Sequence, residues 1–173
     1  MSRHRSGFID PFHTAEVARS YEGSVDLADM TRLASLLAAA RGAASYEWQF
    51  DVDPLGTRHA RGRITAVLPL LCQRCLEVME LDLDLAPRVA FVRSEEEIPH
   101  LGEEYDPCLV TRHDIALHDM VEDELLLAVP TVPRHDTGVC RIDTPRLGVA
   151  VEQEDVGGRP NPFAALKSLK PGR

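Results

Sequence analysis

Aromatic residues are scarce in this chain: only 5% of its 173 residues, with a single Trp. A core of this composition is expected to be mostly aliphatic. Long apolar runs are missing, and none approaches the roughly 20 residues that a membrane-spanning helix needs. The basic start, with Arg3 and Arg5, leads into no apolar segment, which argues against a secretory signal. No phosphate-cradling glycine loop and no nucleophile motif is present. Cysteine is limited to four residues. In a chain read as cytoplasmic these are thiols or metal ligands before they are disulfides.

Positive charge is also unevenly missing. The net charge is −9, but residues 51–93 balance six acids with six arginines. Residues 94–140 hold twelve acids against Arg112 and Arg134 alone, a balance of −10. Residues 141–173 return to +2. Such a field disfavours indiscriminate phosphate binding and attracts basic partners. It is equally the signature of a solvated acidic surface.

The length and the apolar fraction of 44% suit one ordinary domain spanning 1–173. Residues 8–25 read as an extended arm or edge strand, so that about 1–24 form an N-terminal arm. Asp10-Pro11 is a turn signal. Leu27, Met30, Leu33, Leu37 and Ala40 recur at helical spacing between a capping Asp26 and Gly42, which predicts a helix over 27–41.

Strands are expected at 45–52, 61–71 and 76–92. Ile64, Ala66, Leu68 and Leu70 share one face of the second; Met79, Leu81, Leu83 and Leu85 share one face of the third. Between them lies Cys72-Gln73-Arg74-Cys75, placed at the tip of an antiparallel hairpin. Ser94–Pro107 reads as an exposed loop and Leu109-Val110 as a short strand. Asp114 is expected to cap a helix from Ile115 to Ala128, stopped by Pro130 and Pro133. Residues from about 141 read as a loosely ordered tail, with a short helix from Phe163 to Lys170 behind Asn161-Pro162. The fold class is therefore α+β. An antiparallel sheet, its closure left open, is packed by two main helices and followed by a short C-terminal helix.

Three constellations carry chemistry. A CxxC at a hairpin tip aims two thiolates at one point, the half-site of a zinc knuckle. His135 and Cys140, five residues apart in a turn-rich loop, are the candidate partners of Cys72 and Cys75. Cys108 reads instead as a buried thiol, and four reduced structural cysteines are the competing reading. A thioredoxin-like role would need the CxxC at a helix N-terminus, against the alternation on both sides. Second, Arg61 and Arg63 share a strand face and Arg74 lies between the cysteines. Such guanidinium groups can grip RNA phosphates, or pair with Glu77, Glu80, Asp82 and Asp84 across the same hairpin. Third, Asp119, Glu122, Asp123 and Glu124 give the second helix an acidic side. It is either simply solvated or a docking surface for a basic partner.

Taken together, these motifs resemble the YceD family of large ribosomal RNA subunit accumulation proteins. The resemblance rests on Cys72-Gln73-Arg74-Cys75-Leu76, on Met120-Val121-Glu122-Asp123-Glu124 through Val132-Pro133 to His135-Asp136, and on Asn161-Pro162-Phe163-Ala164 through Leu169-Lys170. Asp10-Pro11, Tyr21-x-Gly23 and Tyr105-x-Pro107 fit as well. The resemblance implies a cytoplasmic, non-enzymatic role in synthesis, processing or stability of 23S rRNA. Its partners would be precursor 23S rRNA or a large-subunit assembly intermediate, with no membrane and no small-molecule substrate. The alternative is an acidic module that holds a basic ribosomal protein without touching RNA. Zinc at Cys72, Cys75, His135 and Cys140 is the one cofactor expected from the residues themselves.

Overall fold

The structure, a computed structural model, describes residues 7–136 together with Val139 and Cys140. The tail from 141 and its Phe163–Lys170 helix lie outside the described residues.

Local alternation drives most of the sheet. Strand β3 (Ala43–Val52) buries Ala44, Tyr46, Trp48 and Phe50 on one face and exposes Ser45, Glu47 and Gln49 on the other. Strand β4 (Arg58–Leu71) does the same with Ala60, Ile64, Ala66 and Leu68. The two pair antiparallel from Ser45 opposite Thr65 to Val52 opposite Arg58. Strand β2 (Ser20–Asp26) pairs antiparallel along the other edge of β3.

On its far side β4 meets two strands in succession. Its outer half pairs with β5 (Val78–Leu85), from Ile64 opposite Leu85 to Leu71 opposite Val78. Its inner end pairs with β6 (Arg88–Val92). The break falls at Ala86-Pro87, since proline has no amide to give the ladder; instead the Gly62 amide donates to the Pro87 carbonyl. The expected 76–92 strand is thus two strands. Beyond Thr65 the hairpin leaves β3 behind and projects as a ribbon with the CxxC at its tip.

One pairing departs from the antiparallel expectation. Strand β7 (Asp106–Leu109) runs parallel to β6 and forms the end of the six-stranded sheet. The sheet is open, ordered β2-β3-β4-β6-β7 with β5 attached to β4. A separate two-stranded pair joins β1 (Phe8–Ile9) to β8 (Ile115–Ala116).

The helices differ more from expectation. Residues 8–25 contain an edge strand, as read, but also helix α1 (Pro11–Glu16). Asp10 is its N-cap, accepting from the amides of Phe12 and His13, and Pro11 fills the first position. Phe12 and Ala15 are buried in the core. The helix expected over 27–41 is not continuous. A 3₁₀ turn at Leu27–Asp29 stops at Met30, whose φ of −90° and ψ of 85° are not helical, and α2 covers only Thr31–Ala34. Leu27, Met30 and Leu33 are nonetheless fully buried, so the apolar spacing marked core contacts correctly. Helix α3 runs Leu117–Ala128. Asp114 does not cap it: Ile115 and Ala116 are drawn into β8, and the N-cap is Ala116 without a side-chain bond.

Few as they are, the aromatics gather in the core. Phe50 stacks on Phe91 at 5.7 Å and takes Tyr21 edge-on at 5.8 Å. Gly62, directly across the ladder from Trp48, has no room for a side chain: a Cβ there would sit 2.6 Å from the indole ring. The core is mainly aliphatic, as expected, around this aromatic centre on β3.

Candidate metal centre

At the hairpin tip the chain turns back through Cys72-Gln73-Arg74-Cys75-Leu76. The turn is closed by two backbone bonds, Leu76 N–H to Cys72 O and Cys72 N–H to Glu77 O, both 2.9 Å. Leu76 reverses the chain with a φ of 61°, a left-handed conformation usually left to glycine. A third bond, Gln73 N–H to Pro133 O at 2.8 Å, fastens the tip to the loop after α3. That loop, stiffened by Pro130 and Pro133, carries His135 and Cys140.

The four side chains converge. Cys72 Sγ lies 3.5 Å from Cys140 Sγ; His135 Nδ1 lies 3.4 Å from Cys75 Sγ and 3.7 Å from Cys140 Sγ. All four ligand atoms fall within 4.8 Å of one another. The sulfurs are too far apart for a disulfide, which needs about 2.05 Å, and the cysteines are free thiols. Tetrahedral zinc, with bonds of about 2.3 Å to sulfur and about 2.0–2.1 Å to nitrogen, sets its ligands about 3.8 Å apart for two sulfurs and about 3.5 Å for sulfur and nitrogen. The observed separations match those edges. This group can hold a metal ion, and three thiolates with one imidazole suit zinc. A metal there would take Nδ1 of His135 and leave the ring proton on Nε2.

The surroundings prepare the thiolates. Burial opposes ionisation of Cys72, but the backbone N–H groups of Cys75, His135 and Arg74 and the Cys140 thiol bring its pKa down to about 5. At Cys75 the Glu77 amide favours the thiolate, yet burial and the neighbouring Cys140 and Cys72 push the thiol up to about 11. Partial burial opposes ionisation of Cys140 as well, but the Arg74 guanidinium and its other partners hold it below the ordinary thiol value. Hydrogen bonds to Cys140 and Cys72 raise His135. Backbone amides aimed at sulfur, and Arg74 beside Cys140, offset the negative charge that three thiolates leave on a divalent ion.

Cys108 stands apart in β7, half-buried rather than buried as expected. Burial, with the charges of Asp123 and Glu124, pushes it up.

The other expected groups are placed as follows. Arg61 and Arg63 lie on the exposed face of β4. Arg63 reaches Asp84 at 2.9 and 3.1 Å, the cross-hairpin pairing anticipated as the alternative. Arg61 is 3.8 Å from Asp51 and stands directly opposite Arg88 in the β4–β6 register. Arg74 is turned to the metal centre. Of the acidic helix, Asp119 is exposed and faces His118 at 3.1 Å. Glu122 is not on a solvated side at all: it is 3% exposed. It accepts from the amides of Arg32 at 2.7 Å and Leu33 at 3.0 Å, and from Nε and Nη2 of Arg32. Asp123 pairs with the same guanidinium. Glu124 is half-buried beside β7. Sequence reasoning missed Arg32 and the charge-balancing place of Arg74, because each depends on a distant segment.

These features define a class: a small α+β protein whose long hairpin ends in a Cys3His cluster that can hold a metal ion. The family model for the large ribosomal RNA subunit accumulation protein YceD matches residues 60–170. The chain belongs to the YceD family. It is 31% identical over 163 residues to the large ribosomal RNA subunit accumulation protein YceD of Haemophilus influenzae, an alignment covering 94% of each chain. No solved structure matches it. Among the described residues no helix is long and apolar enough to cross a membrane.

Proposed function

We propose that this protein is a non-enzymatic, cytoplasmic factor in the synthesis, processing or stability of 23S rRNA. It contacts precursor rRNA, or a large-subunit assembly intermediate, through the exposed face of the β4–β6 region. The observation that carries this reading is Arg61 opposite Arg88. Like charges directly across a ladder cost stability, and a phosphate bridging them removes the cost. Arg63 adds a third guanidinium one side chain further along the same face. Arg74, at the ribbon tip, is held in place by the metal centre, so the ion serves the fold and the orientation of the tip rather than bond-making. Glu122 and Asp123 are committed to Arg32.

The test is recovery of RNA with the tagged protein at moderate salt. Replacing Arg61, Arg63 and Arg74 together by Ala, with metal content checked, is expected to abolish association with precursor 23S rRNA. Binding of the parent protein is expected to weaken steeply with salt, in proportion to the phosphates neutralised. RNA binding that survives the triple change in metal-loaded protein would remove this face as the RNA site.

The second reading, a module for a basic ribosomal protein, has its own observation in the acidic groove beside β7.

A further inference from the structure

Strand β7 ends the sheet, so its outer edge has no neighbouring strand among the described residues. Alongside it lies a groove of about 440 Å3 between β7 and α3. The floor is apolar: Val89, Leu109, Met120 and Leu126, with Leu127 at the rim 80% exposed. Asp106, Asp123 and Glu124 line the same groove, and no cationic side chain does. Asp123 already has Arg32; Asp106 and Glu124 are in no ion pair among the described residues. Burial and the nearby charges of Asp106 and Asp123 push the Glu124 carboxyl up.

We infer that the β7–α3 groove is a docking site for a short extended segment of a basic protein, one alternating aliphatic residues with Lys or Arg. The segment adds to the sheet as a strand beside β7. Strand addition supplies main-chain hydrogen bonds at this edge through the Pro107 and Leu109 carbonyls and the Leu109 amide, since Pro107 has no N–H to give, and the two-residue side-chain period sorts the partner's residues. One set, on the side of α3, reaches Asp106 and Glu124 while its methylenes lie along Met120 and Leu126; the other packs beside Leu109 on the opposite face of β7. With four residues in β7, the register holds about four partner residues. Three features each call for this occupant: an open edge asks for backbone, an aliphatic floor asks for aliphatic side chains, and unpaired acids ask for cations. An RNA strand fits none of them. The inference locates the protein-binding alternative in the groove rather than on Asp119 and Glu122. It does not depend on the RNA reading.

The test uses the full, metal-loaded chain without RNA and a fluorescein-labelled hexapeptide alternating Lys or Arg with Val. A control peptide carries Glu in place of the bases. Saturable binding of the basic peptide is expected, with amide NMR shifts confined to β7 and α3. Leu127→Lys, which places a cation at an exposed rim position, is expected to weaken binding by about tenfold, and Asp106→Asn with Glu124→Gln by a comparable factor. Glu96→Gln, an equal loss of charge away from the groove, should leave it unchanged. Melting curves for each variant establish that the fold is kept. The inference is overturned if no saturable binding occurs, if the acidic peptide binds as well, if the shifts fall elsewhere, or if folded Leu127→Lys binds like the parent. Loss of RNA binding in the arginine variants would leave this measurement untouched.

Discussion

Glu122, on α3, does for Arg32 what the preceding turn of a helix would otherwise do: its carboxylate accepts the Arg32 amide at 2.7 Å from 90 residues away. The same carboxylate holds the Leu33 amide and the Arg32 guanidinium. Replacing Glu122 by Ala strands two amides in the interior together with half of an ion pair. The expected loss is about 2–4 kcal/mol of unfolding free energy by urea titration. Arg32→Ala, which leaves both amides satisfied, should cost less. A double change that costs the full sum of the two singles would show that the residues act independently, contrary to the geometry.

The pair also sets an acid dependence. Burial works against the Glu122 charge, but the Leu33 amide and the Arg32 side chain and amide hold its pKa below the usual glutamate value of 4.5. A group depressed in the folded state contributes stability above its unfolded pKa and loses it as pH falls through the folded value. Comparing unfolding at pH 7 with unfolding below pH 4, Glu122→Gln should lose less stability than the parent. An equal loss in both would mean that other carboxylates carry the acid response.

For the metal centre, protein purified without chelator should hold about one zinc per chain. Cobalt substitution should give the visible absorption of a tetrahedral thiolate site. Cys72→Ser, Cys75→Ser, His135→Ala and Cys140→Ser should each lose the ion or bind it far more weakly; Cys108→Ser should keep it. Chelation should lower the unfolding midpoint, because ion binding is part of the folding free energy.

Leu76 and Gly62 invite opposite substitutions. At a φ of 61° Leu76 bears a left-handed cost of about 1–2 kcal/mol. Leu76→Gly should therefore be neutral or stabilising by up to about 1 kcal/mol once chain entropy is counted, and Leu76→Val should destabilise the knuckle and weaken metal retention. Gly62→Ala drives a methyl into the buried Trp48 ring and should cost about 1–3 kcal/mol. A thermal melt of Gly62→Ala matching the parent would mean that the indole moves aside freely.

What could be read in advance follows the range of the forces. The β3 and β4 alternations, the hairpin and its CxxC are local patterns, and all are found. His135 and Cys140 were chosen for residue type and for a turn-rich loop, and the structure brings them to the CxxC. The helix expected over 27–41 shows the limit. Its apolar spacing picks out Leu27, Met30 and Leu33 as buried, while Leu37 is partly buried and Ala40 exposed, and a carboxylate 90 residues downstream redirects the amides that would have continued the helix. Asp114 was overridden in the same way when Phe8–Ile9 paired with Ile115–Ala116. The parallel β6–β7 pairing had no local signal. Helix α1 does have one, a capping Asp10 followed by Pro11, a pair that also reads as a turn.

Cys75 and His135 are 60 residues apart, and Cys72 and Cys140 are 68. A chain made from its N-terminus finishes the hairpin long before its last ligand exists. An ion bound there would therefore be a late fastening, added when the sheet already stands. Its supply would then set how quickly a newly translated molecule matures. Without that ion, copies with a complete sheet but an unfastened loop would accumulate.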